Sequence, residues 1–134
     1  MGPVVLDTGV IVAWFNTEDA HHGPTVERLG AITAAGQDFA ISIVSYAELL
    51  TSRLKLERER SRELADALGA RGLIPVDREI AERAAELRLA RKSLRTPDAL
   101  IAATSDLHGA GPLLTTDRSL ARLDGAEYIG IARR

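Results

Sequence analysis

The sequence predicts an α/β fold in which a central, mainly parallel sheet is covered by helices on both faces. The first observation behind this prediction is that short apolar segments alternate with helical segments along the whole chain. The second is that an aspartate follows two of these apolar segments, Asp7 directly after the first and Asp117 just past the end of a later one. The third is that the first segment is continuously apolar, as in strands buried on both faces. With 134 residues and 46% hydrophobic content, one domain spanning residues 1–134 is expected.

The elements follow in order from apolar runs, caps and breakers. Strands are predicted over residues 4–6, 39–43, 73–76, 112–115 and 128–131. Helices are predicted over residues 8–15, 24–35, 45 to about 55, 53–68, 77–89 and 96–108, with one helical turn over 119–123. The charges of residues 53–63 alternate in sign, which indicates a solvated helical surface and is less suited to a basic track for a polynucleotide. Pro75 places the third strand at an edge of the sheet or at a strand end.

Two helix starts carry acids that matter for function. Thr96 is predicted as an N-cap with Pro97 at the first helical position, so Asp98 falls in the first turn, where the helix dipole favours negative charge. Ser45 and Glu48 have the spacing of a capping box, which predicts that Glu48 also lies in a first turn.

Composition excludes several classes of protein. The chain has no cysteine, so it has no disulfide framework or thiolate zinc site, and a reducing, cytoplasmic location is expected. Seventeen basic and nineteen acidic residues give a formal net charge of −2, which argues against coating a nucleic acid through bulk charge. The apolar run over 4–15 is interrupted by Asp7, lacks a basic leader and is too short to span a bilayer, so no membrane association is expected.

Four acids are expected to meet at one edge of the sheet. Asp7 and Asp117 each follow a strand, and Glu48 and Asp98 are predicted in the first turns of helices that begin at the same edge. Four carboxylates in a partly buried pocket repel one another, and a cation removes this repulsion. Oxygen ligands without His or Cys suit Mg²⁺ or Mn²⁺, which points to phosphodiester chemistry. Each acid alone has a simpler explanation as a cap or an Asx turn, and only their joint placement favours a metal site.

The chain resembles the PIN-domain nucleases, and within them the VapC toxins of type II toxin–antitoxin pairs. The resemblance rests on VVLDT at 4–8, SYAEL at 45–49, TPDALIAAT at 96–104 and LLTTD at 113–117. Each segment alone is weakly specific, and their order and spacing together are specific.

The resemblance implies a three-layer α/β/α fold with a sheet of about four to five strands. It implies that the chain is a Mg²⁺- or Mn²⁺-dependent endoribonuclease, with Asp7, Glu48, Asp98 and Asp117 as metal-site acids and Thr115 as the hydroxyl of a Thr-x-Asp motif. It also implies a VapB-type antitoxin as partner, an RNA substrate and a homodimer. Some family members carry a further acid where this chain has Ser119, which leaves one or two metal ions as alternatives.

Three alternatives to this interpretation come from other classes of protein. The sequence Asp7-Thr8-Gly9 matches the motif of aspartic proteases, but those enzymes are all-β. A haloacid-dehalogenase-type phosphatase would require an acid where Gly9 stands. The acids could also belong to a catalytically silent binding module that receives arginines of a partner. The pair His21-His22, in a loop flanked by Gly and Pro, is more typical of solvated surface than of a metal site.

Three basic residues, Arg91, Lys92 and Arg95, precede Asp98. They could meet phosphates of RNA entering the acidic pocket, which would make binding dependent on salt. Solvent exposure at a helix end is an equally good explanation of these charges.

Overall fold

The computed structural model describes residues 2–131. Its strands are β1 (Val4–Val5), β2 (Phe39–Ser42), β3 (Leu73–Ile74), β4 (Leu113–Thr115) and β5 (Ala126–Tyr128). Its helices are α1 (Thr8–Phe15), α2 (His22–Ala34), α3 (Ile43–Leu49), α4 (Lys55–Gly72), α5 (Arg78–Ala90) and α6 (Thr96–His108), with a 3₁₀ turn at Leu120–Arg122. Among these described residues, no helix is long and apolar enough to cross a membrane.

The strands form a parallel sheet with β1 at its centre. β1 pairs with β2, and β2 pairs with β3, both in parallel. β4 pairs in parallel with β5, and a parallel bridge between Leu6 and Leu114 joins this pair to the end of β1. The resulting order is β3-β2-β1-β4-β5, which confirms the predicted parallel sheet of about four to five strands and places β3 at an edge, one of the two positions that Pro75 predicted. The chain adds β2 and β3 on one side of β1 and then β4 and β5 on the other. Because ligands of such sheets bind where the direction of addition changes, a crevice is expected beside the carboxyl end of β1.

Helices cover both faces of the sheet, and alternating side chains of each strand enter two separate cores. Val5 and Ala40 pack with residues of α5 and α6, whereas Val4 and Ile41 pack with residues of α1 and α2. The period-2 alternation of a strand therefore divides its apolar side chains between two helical layers. This is the three-layer α/β/α arrangement that the sequence predicted.

Helix α3 starts earlier than predicted, and the capping box at Ser45 and Glu48 is wrong. Ser42 is the N-cap, and its hydroxyl accepts a hydrogen bond from Val44 N at 3.0 Å. Two serines three residues apart both fit the local pattern, and the earlier one caps the helix because the ladder of β2 ends there. Since α3 ends at Leu49, Glu48 lies in its last turn, and the predicted continuation to about residue 55 is also wrong.

Helix α6 begins at Thr96, and Arg95 occupies the N-cap position that was predicted for Thr96. The first helical hydrogen bond joins Ala99 N to Arg95 O at 2.9 Å. Pro97 is therefore the second helical residue, where its missing N–H still costs no hydrogen bond. The predicted cap is wrong by one residue, whereas the first-turn position of Asp98 is confirmed.

Two further differences concern where helix α2 begins and where the last strand ends. Helix α2 begins at His22, two residues before the predicted start. The last strand ends at Tyr128, where the prediction had it begin, because Tyr128 pairs with Thr115, the last residue of β4. Beyond that point Ile131 is half exposed instead of buried in a strand.

The apolar faces of α5 and α6 do not include every leucine of these helices. The inner face of α5 runs through Ile80, Ala84 and Leu87, while Leu89 is 80% exposed. In α6 the side chains from Ala99 to Ser105 are largely buried, but Leu107, near the helix end, is exposed. Helical periodicity placed these faces approximately, and the packing of α5 against α6 selects which residues are covered.

Candidate active site at the carboxyl edge of the sheet

The buried carboxylate of Asp7 lies at the centre of the candidate site. Asp7 follows β1, is 6% exposed, and caps α1 by accepting a hydrogen bond from Thr8 N at 2.8 Å. Its second oxygen accepts a hydrogen bond from Thr115 Oγ1 at 2.7 Å, across 108 residues of sequence. The backbone supports this contact, because Asp7 N donates to Leu114 O at 2.9 Å. The position of Asp7 is therefore fixed both by β1, which it follows, and by its contacts with β4.

The Thr115 hydroxyl also connects Asp7 to Asp117. It donates to Asp7 and accepts a hydrogen bond from Asp117 N at 3.0 Å. The carboxylate of Asp117 is exposed, and its Oδ1 accepts from Ser119 N at 2.8 Å and from Leu120 N at 3.4 Å. Asp117 therefore lies at the predicted edge, with one carboxylate oxygen capping the turn that follows β4.

Gly9 allows this turn to approach helix α1. A Cβ atom at Gly9 would lie 2.5 Å from Thr116 Oγ1, which is closer than real Cβ contacts allow. A larger residue at this position would force the Thr116 side chain to move, so glycine favours the close approach of the first turn of α1 to the residue before Asp117.

Glu48 enters the site from α3, and Thr8 holds it there. The Thr8 hydroxyl donates to Glu48 Oε1 at 2.7 Å, and Thr8 Oγ1 lies 3.0 Å from the hydroxyl oxygen of buried Ser45. Sequence reasoning assigned no role to Thr8, although it stands directly after the strand-ending acid. Ser45, which the sequence suggested as a cap, instead supports this contact from within the helix.

Asp98 is the third acid near Asp7, and it comes from the first turn of α6. Its side chain is 18% exposed, and one oxygen lies 3.4 Å from the guanidinium Nε of Arg95, which is itself 75% exposed. This ion pair is weak because Arg95 remains largely in water. The weak pairing leaves the charge of Asp98 able to act on Asp7.

Burial and two neighbouring acids raise the pKa of Asp7. Burial is the largest influence and raises the pKa of Asp7 from 3.8 to about 6, whereas the hydrogen bonds from Thr115 and Thr8 lower it. The negative charges of Asp98 and Glu48 raise the pKa further. Three acids from distant segments of the sequence thus interact electrostatically, and the backbone of Asp117 is linked to Asp7 through the Thr115 hydroxyl.

The donor chemistry fits a hard divalent cation, although the acids do not form a closed cage. Within residues 2–131, no group of three or more acidic or histidine side chains is close enough to hold a metal ion as it stands. Glu48, Asp98 and Asp117 each contact a different partner, namely Thr8, Arg95 and Ser119. A cation would offset the repulsion that raises the pKa of Asp7, and carboxylate oxygens are the ligands that Mg²⁺ and Mn²⁺ prefer.

The basic residues before Asp98 differ from one another. Lys92 is exposed, and Arg95 pairs with Asp98 as described. Arg91 is only partly exposed, and its Nη2 donates to Ser119 O at 2.9 Å. Arg91 therefore contacts the turn that holds Asp117, a contact that nothing in the sequence suggested.

Two clefts flank the sheet. A cleft of about 400 Å³ lies between α1, α3 and α4, and Thr8 and Glu48 form part of its wall. A larger cleft of about 830 Å³ is lined by Pro3, Phe39 and His108 and lies at the opposite edge, away from the acids. Only the smaller cleft is continuous with the candidate site.

The chain belongs to the PIN-domain family, because the family's sequence model matches residues 4–126. The strand order, the three layers and the acids at the carboxyl edge described above agree with this membership. A comparison with curated proteins found no match.

Solved structures of toxin–antitoxin complexes share the fold. One is a toxin–antitoxin complex from Klebsiella pneumoniae, with 24% identity, coverage of 96% of this chain and 99% of that chain, and a TM-score of 0.73. Another is VapBC2 from Rickettsia felis bound to a promoter DNA fragment, with 19% identity, coverage of 92% and 94%, and a TM-score of 0.67. VapBC-5 from Mycobacterium tuberculosis has 24% identity, coverage of 96% and 98%, and a TM-score of 0.56.

Proposed function

We propose that this PIN-domain protein is a divalent-metal-dependent endoribonuclease that acts as the toxin of a type II toxin–antitoxin pair. The observation that carries the proposal is the buried Asp7 carboxylate, which Thr115 holds and whose pKa the charges of Asp98 and Glu48 help to raise. A structural acid rarely lies buried beside two other acids from distant segments, because burial and repulsion both destabilise it. A cation-dependent site gives this arrangement a function.

The proposed metal ligands are Asp7, Asp98 and Asp117, with Glu48 completing the site directly or through water. A bound Mg²⁺ or Mn²⁺ would supply charge stabilisation at a phosphodiester and lower the pKa of an attacking water. The chain's own residues would orient the acids: Thr115 fixes the rotamer of Asp7, and Thr8 directs Glu48.

RNA would approach across the exposed basic residues next to Asp98. Lys92 and Arg95 are both exposed and precede the first turn of α6. Their contacts to phosphates would carry no base specificity and would make RNA binding weaker as salt increases.

The toxin assignment draws on the structural neighbours, which are toxin–antitoxin complexes. A cognate VapB-type antitoxin would lay an amphipathic segment along the cleft between α1, α3 and α4, where Val12 and Leu54 expose apolar surface beside Glu48. An Arg or Lys of that segment would pair with the carboxylates and exclude metal or substrate. Formation of a homodimer is part of the same proposal.

Cleavage of RNA by the purified protein with Mg²⁺ or Mn²⁺ tests the nuclease assignment. Asp98→Asn should abolish cleavage and leave the fold intact, because it removes charge without changing volume. Asp106→Asn is the matched control, since Asp106 lies near the other end of the same helix and pairs with Arg83. Cleavage by Asp98→Asn at the wild-type rate would refute the assignment, and absence of cleavage by the wild type would favour a silent binding module.

Growth assays test the toxin assignment separately. Expression of the chain alone should arrest growth, Asp98→Asn should remove the toxicity, and co-expression with the protein encoded immediately upstream should suppress it. A harmless chain that binds no neighbour would refute the toxin role while leaving the nuclease role open. The aspartic-protease alternative receives no support, because Asp7-Thr8-Gly9 opens an α-helix in an α/β fold.

A further inference from the structure

We propose that Arg91 is a positioning residue that fixes the Asp117 turn relative to the segment leading into Asp98. This inference rests on the proposed function, because it takes Asp117 and Asp98 as acids of one metal site. Its basis is a contact over 28 residues: Arg91 Nη2 donates to Ser119 O at 2.9 Å and lies 3.4 Å from Ser119 Oγ.

Ser119 is the residue through which Arg91 acts on Asp117. The backbone N–H of Ser119 donates to Asp117 Oδ1 at 2.8 Å, while its carbonyl accepts from Arg91. The following residue, Leu120, also donates to Asp117 Oδ1 and is buried in the core. Arg91 therefore holds Ser119, and burial holds Leu120, the two residues whose N–H groups donate to the Asp117 carboxylate.

The segment that carries Arg91 is itself well anchored. Leu94 is buried, its N–H donates to Arg91 O at 3.1 Å, and its carbonyl accepts from Arg88 Nε at 2.9 Å. The next residue, Arg95, opens the helix that presents Asp98. Arg91 thus joins the segment before Asp98 to the turn after Asp117. This contact limits changes in the separation of the two acids.

This role differs measurably from contact with RNA phosphates. A positioning role predicts that loss of Arg91 weakens metal binding and lowers kcat while KM for RNA stays the same. A phosphate contact predicts a higher KM and a smaller dependence on salt, with metal affinity unchanged.

The experiment compares Arg91→Ala with Arg78→Ala, at an exposed arginine that pairs with Glu82 on α5. Mn²⁺ affinity is measured by calorimetry on each full chain, and kcat and KM are measured on one RNA. Removal of a residue that directly orients a metal ligand typically weakens affinity by tenfold or more, and Arg91 acts through Ser119, so we expect about threefold to tenfold for Arg91→Ala and less than about twofold for Arg78→Ala. Circular dichroism and metal-free unfolding establish that each variant is folded.

Equal Mn²⁺ affinities of the two alanine variants would overturn the proposal, as would a raised KM with unchanged affinity. If Arg91→Ala does not fold, Arg91→Gln decides, because glutamine keeps a polar side chain that is too short to reach the Ser119 carbonyl. A Mn²⁺ affinity of Arg91→Gln equal to that of the wild type would then overturn the proposal. A wild type that neither binds Mn²⁺ nor cleaves RNA would refute the proposed function itself, which separates that failure from the failure of this inference.

Discussion

Asp7 should destabilise the metal-free protein at neutral pH, and Asp7→Asn should therefore make the apoprotein more stable. The pKa of Asp7 is raised from 3.8 to about 6, chiefly by burial. An acid whose pKa is higher in the folded state binds its proton more tightly when folded, so deprotonation favours unfolding. The resulting loss of stability is absent below about pH 4, grows as pH rises towards 6, and is complete above pH 6.

The size of this loss of stability follows from the difference between the pKa of 3.8 and the raised pKa of about 6. At about 1.4 kcal/mol per unit, the charge on Asp7 costs up to about 3 kcal/mol above pH 6. Asn keeps the volume and an oxygen that can accept the α1 cap bond from Thr8, but it loses the charged acceptor for Thr115. The expected net gain of Asp7→Asn at pH 7.5 is therefore about 1–3 kcal/mol.

Urea unfolding in EDTA at pH 4 and pH 7.5 measures this difference. The single tryptophan, Trp14, packs on Phe39 with ring centroids 6.2 Å apart and serves as the fluorescence probe. Asp124→Asn, at an exposed acid, is the control for removal of one charge. The reasoning is refuted if Asp7→Asn is no more stable than the wild type at pH 7.5, or if its advantage is equally large at pH 4.

Addition of Mg²⁺ should stabilise the wild type more than it stabilises Asp7→Asn. Binding to the folded state alone stabilises by an amount that grows with the ratio of ligand concentration to Kd. The wild type has the charge that attracts the ion, whereas Asp7→Asn lacks it. The variant should therefore gain less from Mg²⁺, which would tie the stability cost of Asp7 to a function in metal binding.

Three further predictions, each tested by substitution, concern the local structure of the site. Gly9→Ala should destabilise by about 1–2 kcal/mol through overpacking against Thr116, and the double variant Gly9→Ala/Thr116→Ala should recover stability. The control Gly23→Ala, with no atom within 4 Å of its Cβ, should not destabilise. Equal urea midpoints for Gly9→Ala and Gly23→Ala would contradict this prediction. Thr115→Val should remove the donor to Asp7, lower stability at pH 7.5 by about 1–2 kcal/mol and reduce RNA cleavage; unchanged unfolding and cleavage would show that the hydroxyl is dispensable. Ser42→Ala should cost about 1 kcal/mol by removing the α3 cap, and a free energy of unfolding equal to the wild type's would argue against that cap.

Local patterns were sufficient to predict the fold and the approximate position of the acids. A continuously apolar strand followed by Asp7, and another followed by Asp117, placed both acids at the edge where parallel strands end. Pro97 and the apolar residues after it placed Asp98 in a first helical turn. These features depend on neighbours a few residues apart, and the sequence displays such neighbours directly.

The tertiary structure decided which groups hold each acid. The contact of Thr115 with Asp7 spans 108 residues, and that of Thr8 with Glu48 spans 40. Glu48 reaches the site from the last turn of α3, because the end of the β2 ladder, and not the capping-box pattern, sets where the helix begins. The sequence fitted solvent exposure and phosphate contact equally well for Arg91, whereas the structure shows that Arg91 donates to the carbonyl of Ser119. Local sequence therefore determined the kinds of residue at the site, whereas long-range packing determined their hydrogen-bond partners, because those partners become neighbours only when the strands assemble.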